Sequence, residues 1–204
     1  MLTGLGLGPG NPELLTLRAV RILKEADRVF VPGKLAYDLV APYADAEVLD
    51  FPMTSDEARI RECMLSNSDR IASYARNGDA VLGIIGDPNF YSTFSRLCAV
   101  MAEKYPDIEF STEPGISSIT SFASVAGVSL SGGFYVTDGG EMRSRVLLKV
   151  RHPRETAERL MADGYGEFVL VERAYMKDQT VYRHPDLPET SDYFSIMYAR
   201  RSDV

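Results

Sequence analysis

Three glycine- and proline-rich stretches hold the residues of this chain whose types and spacing could do chemistry. They are Gly6-Leu7-Gly8-Pro9-Gly10, Gly86-Asp87-Pro88 and Pro114-Gly115-Ile116-Ser117-Ser118. The middle one breaks an apolar run, Ala80–Ile85, of the length and character of a buried parallel strand. Gly86 lets the backbone turn sharply or come close to a ligand. Pro88 cannot continue a ladder and ends the strand. Asp87 is then left at the strand's carboxyl end, where open α/β sheets place their ligands. An Asp before a Pro also suits a plain βα turn, so this stretch alone does not decide between the two.

The glycines do not spell a nucleotide fingerprint. A G-x-G-x-x-G frame started at Gly4 ends on Pro9, and one started at Gly6 ends on Asn11. Gly33-Lys34 is followed by Leu35, so a phosphate-cradling P-loop is excluded too. There is no G-x-S-x-G elbow and no H-E-x-x-H helix. The two histidines, His152 and His184, each precede a proline and have no ligand-like spacing, so no intrinsic metal site is expected. Cys63 and Cys98 lie far apart in helical patterns and read as small buried hydrophobes. A net charge of −7 argues against nucleic acid or an anionic membrane as the main partner. No apolar run reaches the roughly 20 residues of a membrane span. The start, MLTGLGLGPG, lacks the charge and apolar core of a signal peptide, so a cytoplasmic location is expected.

The elements that must position these loops alternate over the first 126 residues. Strands are expected at Met1–Leu7, Arg28–Val31, Glu47–Phe51, Ala80–Ile85 and Ile108–Ser111. Between them the spacing predicts helices over Leu17–Ala26, with Thr16 as cap and Leu17, Val20 and Leu23 on one face, over Leu35–Val40, over Asp56–Asn77 and over Ser92–Lys104. Thr54 and Glu57 have capping-box spacing, and Ser66-Asn67-Ser68 could interrupt the long helix. Pro114–Ser118 opens one more helix, ending near Ala126. This alternation is the signature of a mostly parallel sheet. Gly127–Gly140 is rich in Gly and Ser and reads as a junction, dividing the chain into 1–126 and 127–204. Beyond it, strand candidates at Arg145–Val150, Glu167–Arg173, Thr180–Arg183 and Tyr193–Arg200 surround one helix, Arg154–Ala162, and suggest a mixed, partly antiparallel sheet.

Five stretches, in order, resemble the class III, or tetrapyrrole, methyltransferases of the cobalamin and siroheme pathways. They are GLGPGNPELLTLRA at Gly6–Ala19, ADRVFVPG at Ala26–Gly33, GDPNFYST at Gly86–Thr93, EPGISS at Glu113–Ser118 and VERAYMKDQTVY at Val171–Tyr182. Phe51-Pro52-Met53-Thr54, Tyr91-Ser92-Thr93-Phe94 and Ser191–Ser195 are similar to the members that methylate C20 of precorrin-2 or cobalt-factor II. The Ser129–Arg145 segment is compressed relative to that subgroup. The resemblance implies two α/β domains with a cofactor cleft between them, a homodimer, and S-adenosylmethionine as cofactor, with S-adenosylhomocysteine as product. It assigns cofactor contacts to Pro9, Ile85, Gly86, Asp87, Phe90, Ser117, Ser118, Leu148 and Ala174.

A methyl donor that is a sulfonium zwitterion suits close backbone approach, hence glycines, and polar contacts from Ser117 and Ser118. Its charge disperses as the methyl moves, so no strong fixed cation is required at the reacting centre. In-line positioning supplies much of the rate. No residue stands out as a catalytic base; Asp87 reads as orienter or cofactor contact before proton carrier, and Tyr91 as a substrate-side residue. The implied tetrapyrrole substrate carries many carboxylates. Arg143, Arg145, Lys149, Arg151 and Arg154 could gather to meet them, although each singly also fits a solvated face. Arg18, Arg21, Lys24 and Arg28 read as surface, and Tyr193 and Phe194 as core. Two other readings stay open: a family member acting on another precorrin carbon or on a protein side chain, as diphthine synthases do, and a non-catalytic cofactor- or tetrapyrrole-binding module.

Overall fold

The computed structural model describes residues 1–201. The chain divides into two compact units, Met1–Gly133 and a second beginning at Phe134.

The first unit is built on five parallel strands: β1 (Leu2–Gly6), β2 (Arg28–Val31), β3 (Ala46–Val48), β4 (Ala80–Ile84) and β5 (Phe110–Glu113). Their order in the sheet is β3-β2-β4-β1-β5. The helices are α1 (Leu17–Glu25), α2 (Lys34–Val40), α3 (Glu57–Ala75), α4 (Thr93–Lys104) and α5 (Ser118–Ala126). Side chains alternate between the two faces, as a pleated strand requires. Leu2, Phe30, Ala80, Leu82 and Ile84 pack with Met64 and Ile71 of α3 and Leu97 and Met101 of α4. Leu5, Leu7, Val29, Val31 and Val81 pack with Ala19 and Leu23 of α1 and Leu39 of α2. Gly4 has no side chain because the Phe94 ring fills that space; an added Cβ would lie 2.7 Å from it.

Local chemistry explains the helix starts and corrects some of the expectations. Thr16 accepts from the Ala19 N–H at 3.0 Å and caps α1. The buried face of α1 is Ala19 and Leu23, however, while Leu17 is 92% exposed. At α3 the cap is Asp56, whose carboxylate accepts from Ala58 and Arg59. Thr54 lies one step outside, accepting from the Asp56 N–H at 3.2 Å. A shorter side chain two residues earlier cannot reach the same donors. Ser66-Asn67-Ser68 leaves α3 unbroken: Ser68 Oγ donates back to the Leu65 carbonyl at 2.7 Å, and Asn67 Nδ2 donates to the Asp50 carbonyl at 2.8 Å.

The second unit contains β6 (Ser144–Leu148), α6 (Pro153–Ala162), β7 (Tyr165–Glu172), β8 (Thr180–Arg183) and β9 (Ser195–Arg201). The sheet runs β6-β9-β7-β8. All three of its pairings are antiparallel, so it is more uniform than the mixed sheet expected. Ala157 and Leu160 of α6 pack on Phe168, Leu170, Met197 and Ala199. Tyr193 and Phe194 precede β9 instead of lying in it, and at 44% and 55% exposure they are not core residues.

Candidate functional site

The strand order of the first unit creates the site. From β1 the chain moves through α1 and α2 to β2 and β3, on one side of the sheet centre. It returns through α3 to β4, beside β1, and then crosses through α4 to β5 on the far side. Strands β4 and β1 are therefore neighbours whose onward connections diverge. That divergence opens a crevice outside their carboxyl ends. The loops leaving β1, β4 and β5 are the three glycine- and proline-rich stretches.

They touch through backbone. The Gly86 N–H donates to the Gly8 carbonyl at 2.7 Å, and the Gly8 N–H donates back to Gly86 at 3.3 Å. Gly6 and Gly115 are in closer approach still: a Cβ on Gly6 would lie 2.2 Å from the Gly115 nitrogen, and one on Gly115 would lie 2.2 Å from the Gly86 carbonyl oxygen. No side chain fits there. Gly86 has φ +79°, yet a Cβ on it would meet nothing within 4 Å. Space is thus left beside its Cα, although the residue itself is buried.

Asp87 joins two of the loops. It is 7% exposed. One carboxylate oxygen accepts from the Asn89 N–H at 2.9 Å, closing a local turn. The other accepts from the Gly115 N–H at 3.2 Å, across 28 residues of sequence. Phe90 and Tyr91 follow, both exposed, and Tyr91 holds φ +50°. Ser92 Oγ donates to the Pro88 carbonyl at 2.5 Å and accepts from the Phe94 N–H, so the same loop starts α4. On the third loop, Ser117 caps α5 by accepting from the Ile119 N–H at 3.2 Å, and Ser118 is the exposed first residue of that helix.

The residues singled out from the sequence therefore fall into two sets. Pro9, Ile85, Gly86, Asp87, Phe90, Ser117 and Ser118 all lie on the loops at the carboxyl edge of the first sheet. Leu148 and Ala174 belong to the second unit, where both flank the start of β9: Leu148 is paired with Ile196, and Ala174 lies two residues past the Glu172–Ser195 pair. The basic residues near 143–154 do not form one cluster. Lys149 and Arg151 lie over the Tyr193 ring at 5.0 and 5.4 Å, Arg145 lies over Tyr165 at 5.0 Å, and Arg154 donates to the Leu187 carbonyl at 3.1 Å.

One ion pair beside the site has no counterpart in the sequence expectations. Arg18 lies at the surface as expected, with its side chain 53% exposed, but its Nε lies 2.9 Å from Glu113, a carboxylate only 6% exposed at the end of β5. The pair ties the first turn of α1 to the strand that delivers Pro114-Gly115. A charged residue placed directly before a Pro-Gly turn was the available signal. Arg28 is likewise engaged, with Glu47 at 2.6 Å. The thiols are not poised as nucleophiles. Burial pushes Cys98 up to about 11, and desolvation with the nearby Asp50 raises Cys63. Among the described residues no group of three His, Cys, Asp or Glu could hold a metal ion, and no helix is long and apolar enough to cross a membrane.

Comparison with known proteins agrees with this geometry. The sequence model of the tetrapyrrole (corrin/porphyrin) methylases matches residues 1–187. The "Probable cobalt-precorrin-2 C(20)-methyltransferase" of Methanocaldococcus jannaschii is 36% identical over 136 residues, covering 62% of this chain and 56% of that protein. The precorrin-2 C(20)-methyltransferase of a Sinorhizobium species is 28% identical over 239 residues, covering 96% and 93%. The chain spans about half the length of the first curated relatives it matches, 56% and 45%. A crystal structure of a cobalamin synthesis related protein, CobF, from Corynebacterium diphtheriae has the same fold at TM-score 0.50 and 15% identity, covering 100% of this chain and 99% of that one. A match of this extent, on a chain whose glycine loops meet at the sheet's switch point, makes the chain a member of the tetrapyrrole (corrin/porphyrin) methylase family.

Proposed function

We propose that the chain is an S-adenosylmethionine-dependent C-methyltransferase acting at C20 of precorrin-2 or cobalt-factor II in cobalamin biosynthesis. The observation that carries the reading is the crevice at the carboxyl ends of β1 and β4, walled by bare backbone, in a chain of the methylase family. The residues fit the cofactor. Gly86 leaves space beside its Cα, and Gly6 and Gly115 let the three loops meet backbone to backbone next to it. The cofactor supplies a methyl group on a positively charged sulfur.

The protein's part is placement. Pro9, Ile85, Gly86 and Phe90 form the wall from two loops, and Ser117 and Ser118 present hydroxyls from a third. Asp87 holds the second and third loops in register through its two accepted hydrogen bonds. With its carboxylate so engaged, Asp87 acts as a positioning group for the cofactor wall and not as a carrier of the proton lost after C-methylation. Homodimer assembly in the cytoplasm belongs to the same proposal.

Calorimetric titration with S-adenosylhomocysteine tests the cofactor, and a mass gain of one methyl on precorrin-2 or cobalt-factor II tests the reaction. Failure to bind at millimolar cofactor overturns the reading. The relatives' names divide between metal-free and cobalt-loaded substrate. Turnover compared on the two macrocycles decides which one this chain takes.

A further inference from the structure

A cavity of about 540 Å³ opens in the first unit, between the segment leaving β3 and the facing helices α3 and α4. Ligand pockets are commonly about 300–1,000 Å³. Its floor is apolar: Phe51, Ile60 and Met64, all packed on the first core cluster. Its rim combines the exposed Met53 with the polar Ser55, Thr93 and Arg96. Arg96 is the one charged residue among those that line it. Among the described residues its one carboxylate partner in an ion pair is Glu57, 3.7 Å away, with both side chains mostly exposed. A pair so long and so wet holds its partners weakly, so the guanidinium can exchange Glu57 for another carboxylate. Thr93 is the first residue of α4, and that helix's positive end adds to the same rim. The loop before Thr93 begins at Gly86-Asp87, so the cavity adjoins the cofactor wall along the chain.

We propose that this cavity takes one carboxylate-bearing edge of the macrocyclic substrate, with Arg96 as the group that fixes it. An apolar floor suits a flat pyrrole edge, and a lone cation on the rim suits the carboxylate arm extending from it. The need is specific: a substrate with many carboxylates meets a chain of net charge −7, and local cations must offset that repulsion. The assignment rests on the tetrapyrrole-methylase reading for the identity of the ligand, but it makes Arg96 a specificity residue distinct from the cofactor contacts.

The test is equilibrium binding of uroporphyrin, an octacarboxylate macrocycle, followed by the probe's own fluorescence, since the chain has no tryptophan. S-adenosylhomocysteine binding is measured in parallel by calorimetry. Arg96→Gln should weaken uroporphyrin by about fivefold or more, Arg96→Glu should weaken it further, and Arg96→Lys should restore part of the loss. Glu57→Gln, which removes the competing carboxylate, should tighten it. Cofactor affinity should stay unchanged in all four. Wild-type protein that binds S-adenosylhomocysteine but ignores uroporphyrin overturns the pocket and leaves the methylase reading standing. Equal uroporphyrin affinity in wild type and Arg96→Glu does the same. Arg96-dependent uroporphyrin binding without cofactor binding supports the pocket and overturns the cofactor reading.

Discussion

Replacing Asp87 with Ala removes the acceptor for two backbone N–H groups on different loops, at 2.9 and 3.2 Å. Hydrogen bonds to a charged acceptor contribute about 1.5–3 kcal/mol each, and the longer of these two belongs at the low end. Asn89 is exposed, so water can satisfy its N–H after the substitution; Gly115 is more enclosed and loses more. A total loss of about 2–3 kcal/mol is therefore expected, read as a fall in the urea midpoint at pH 7. Asp87→Asn separates the two bonds. Its amide oxygen can still serve one N–H, but its amide nitrogen then faces the other donor. If the oxygen stays on the local turn, the Gly115 N–H faces a donor, so the Asn variant should lose most of what Ala loses. Because the bond to Gly115 holds the loop that carries Ser117 and Ser118, both variants should also weaken S-adenosylhomocysteine by about tenfold, which corresponds to about 1.4 kcal/mol. The turnover rate at saturating cofactor should change much less. An Ala variant within about 0.5 kcal/mol of wild type, with unchanged cofactor affinity, would refute the clamp, since surface substitutions alone produce changes that small.

Three other perturbations probe the same framework. Gly6→Ala places a Cβ 2.2 Å from the Gly115 backbone and should cost about 3 kcal/mol or more, whereas Gly86→Ala meets open space and only its φ of +79° opposes it, costing about 1–2 kcal/mol; thermal melts that rank them in reverse would contradict the loop packing. Arg18→Ala leaves Glu113 buried without its partner and should destabilise by about 1–3 kcal/mol, while adding Glu113→Gln should recover part of that loss; a double-mutant cycle with no coupling would remove the pair from the account. Hydrogen bonds from Arg70, and then from Arg28, hold Glu47 down to about 2 from 4.5, so its contribution to stability is complete above about pH 4.5 and is lost as pH falls toward 2; Glu47→Gln should flatten that stretch of the acid denaturation curve, and parallel curves would count against it.

Much of the fold is legible because buried parallel strands and capped helices announce themselves locally. Ala80–Ile84 is a short apolar run, and all five residues are buried. Thr16 is a cap both in pattern and in fact, and the helix that Pro114–Ser118 opens starts at a Ser117 cap. What misled were places where burial and pairing come apart. Ile108 reads as the start of β5 and is indeed buried, but its N–H closes a turn onto the Tyr105 carbonyl, and the ladder begins at Phe110. Leu17 matches a helical stripe with Val20 and Leu23, yet the packed face is rotated toward Ala19, which is fully buried with Leu23 in the second core cluster. Tyr193 and Phe194 are apolar enough for a core, but they stack edge to face with each other outside the strand, where Lys149 and Arg151 lie over Tyr193.

The site was legible in its parts and not in its connections, and the sheet order is the reason. Three glycine-rich loops at sequence positions far apart could each be named, but nothing local says that β1 lies between β4 and β5. Only that order puts Gly8 against Gly86 and Asp87 against Gly115. Once it is given, the residue types follow from the geometry. Positions where backbones meet at 2.2 Å to a hypothetical Cβ must be glycine, and two unpaired N–H groups on neighbouring loops call for one short carboxylate between them. Glutamate in place of Asp87 would carry the acceptor too far to close the Asn89 turn while still reaching Gly115. Asp87→Glu should therefore keep the charge and lose the clamp, giving a cofactor affinity closer to that of the Ala variant than to wild type. Full affinity in Asp87→Glu would mean that charge, and not the two bonds, is what the position supplies.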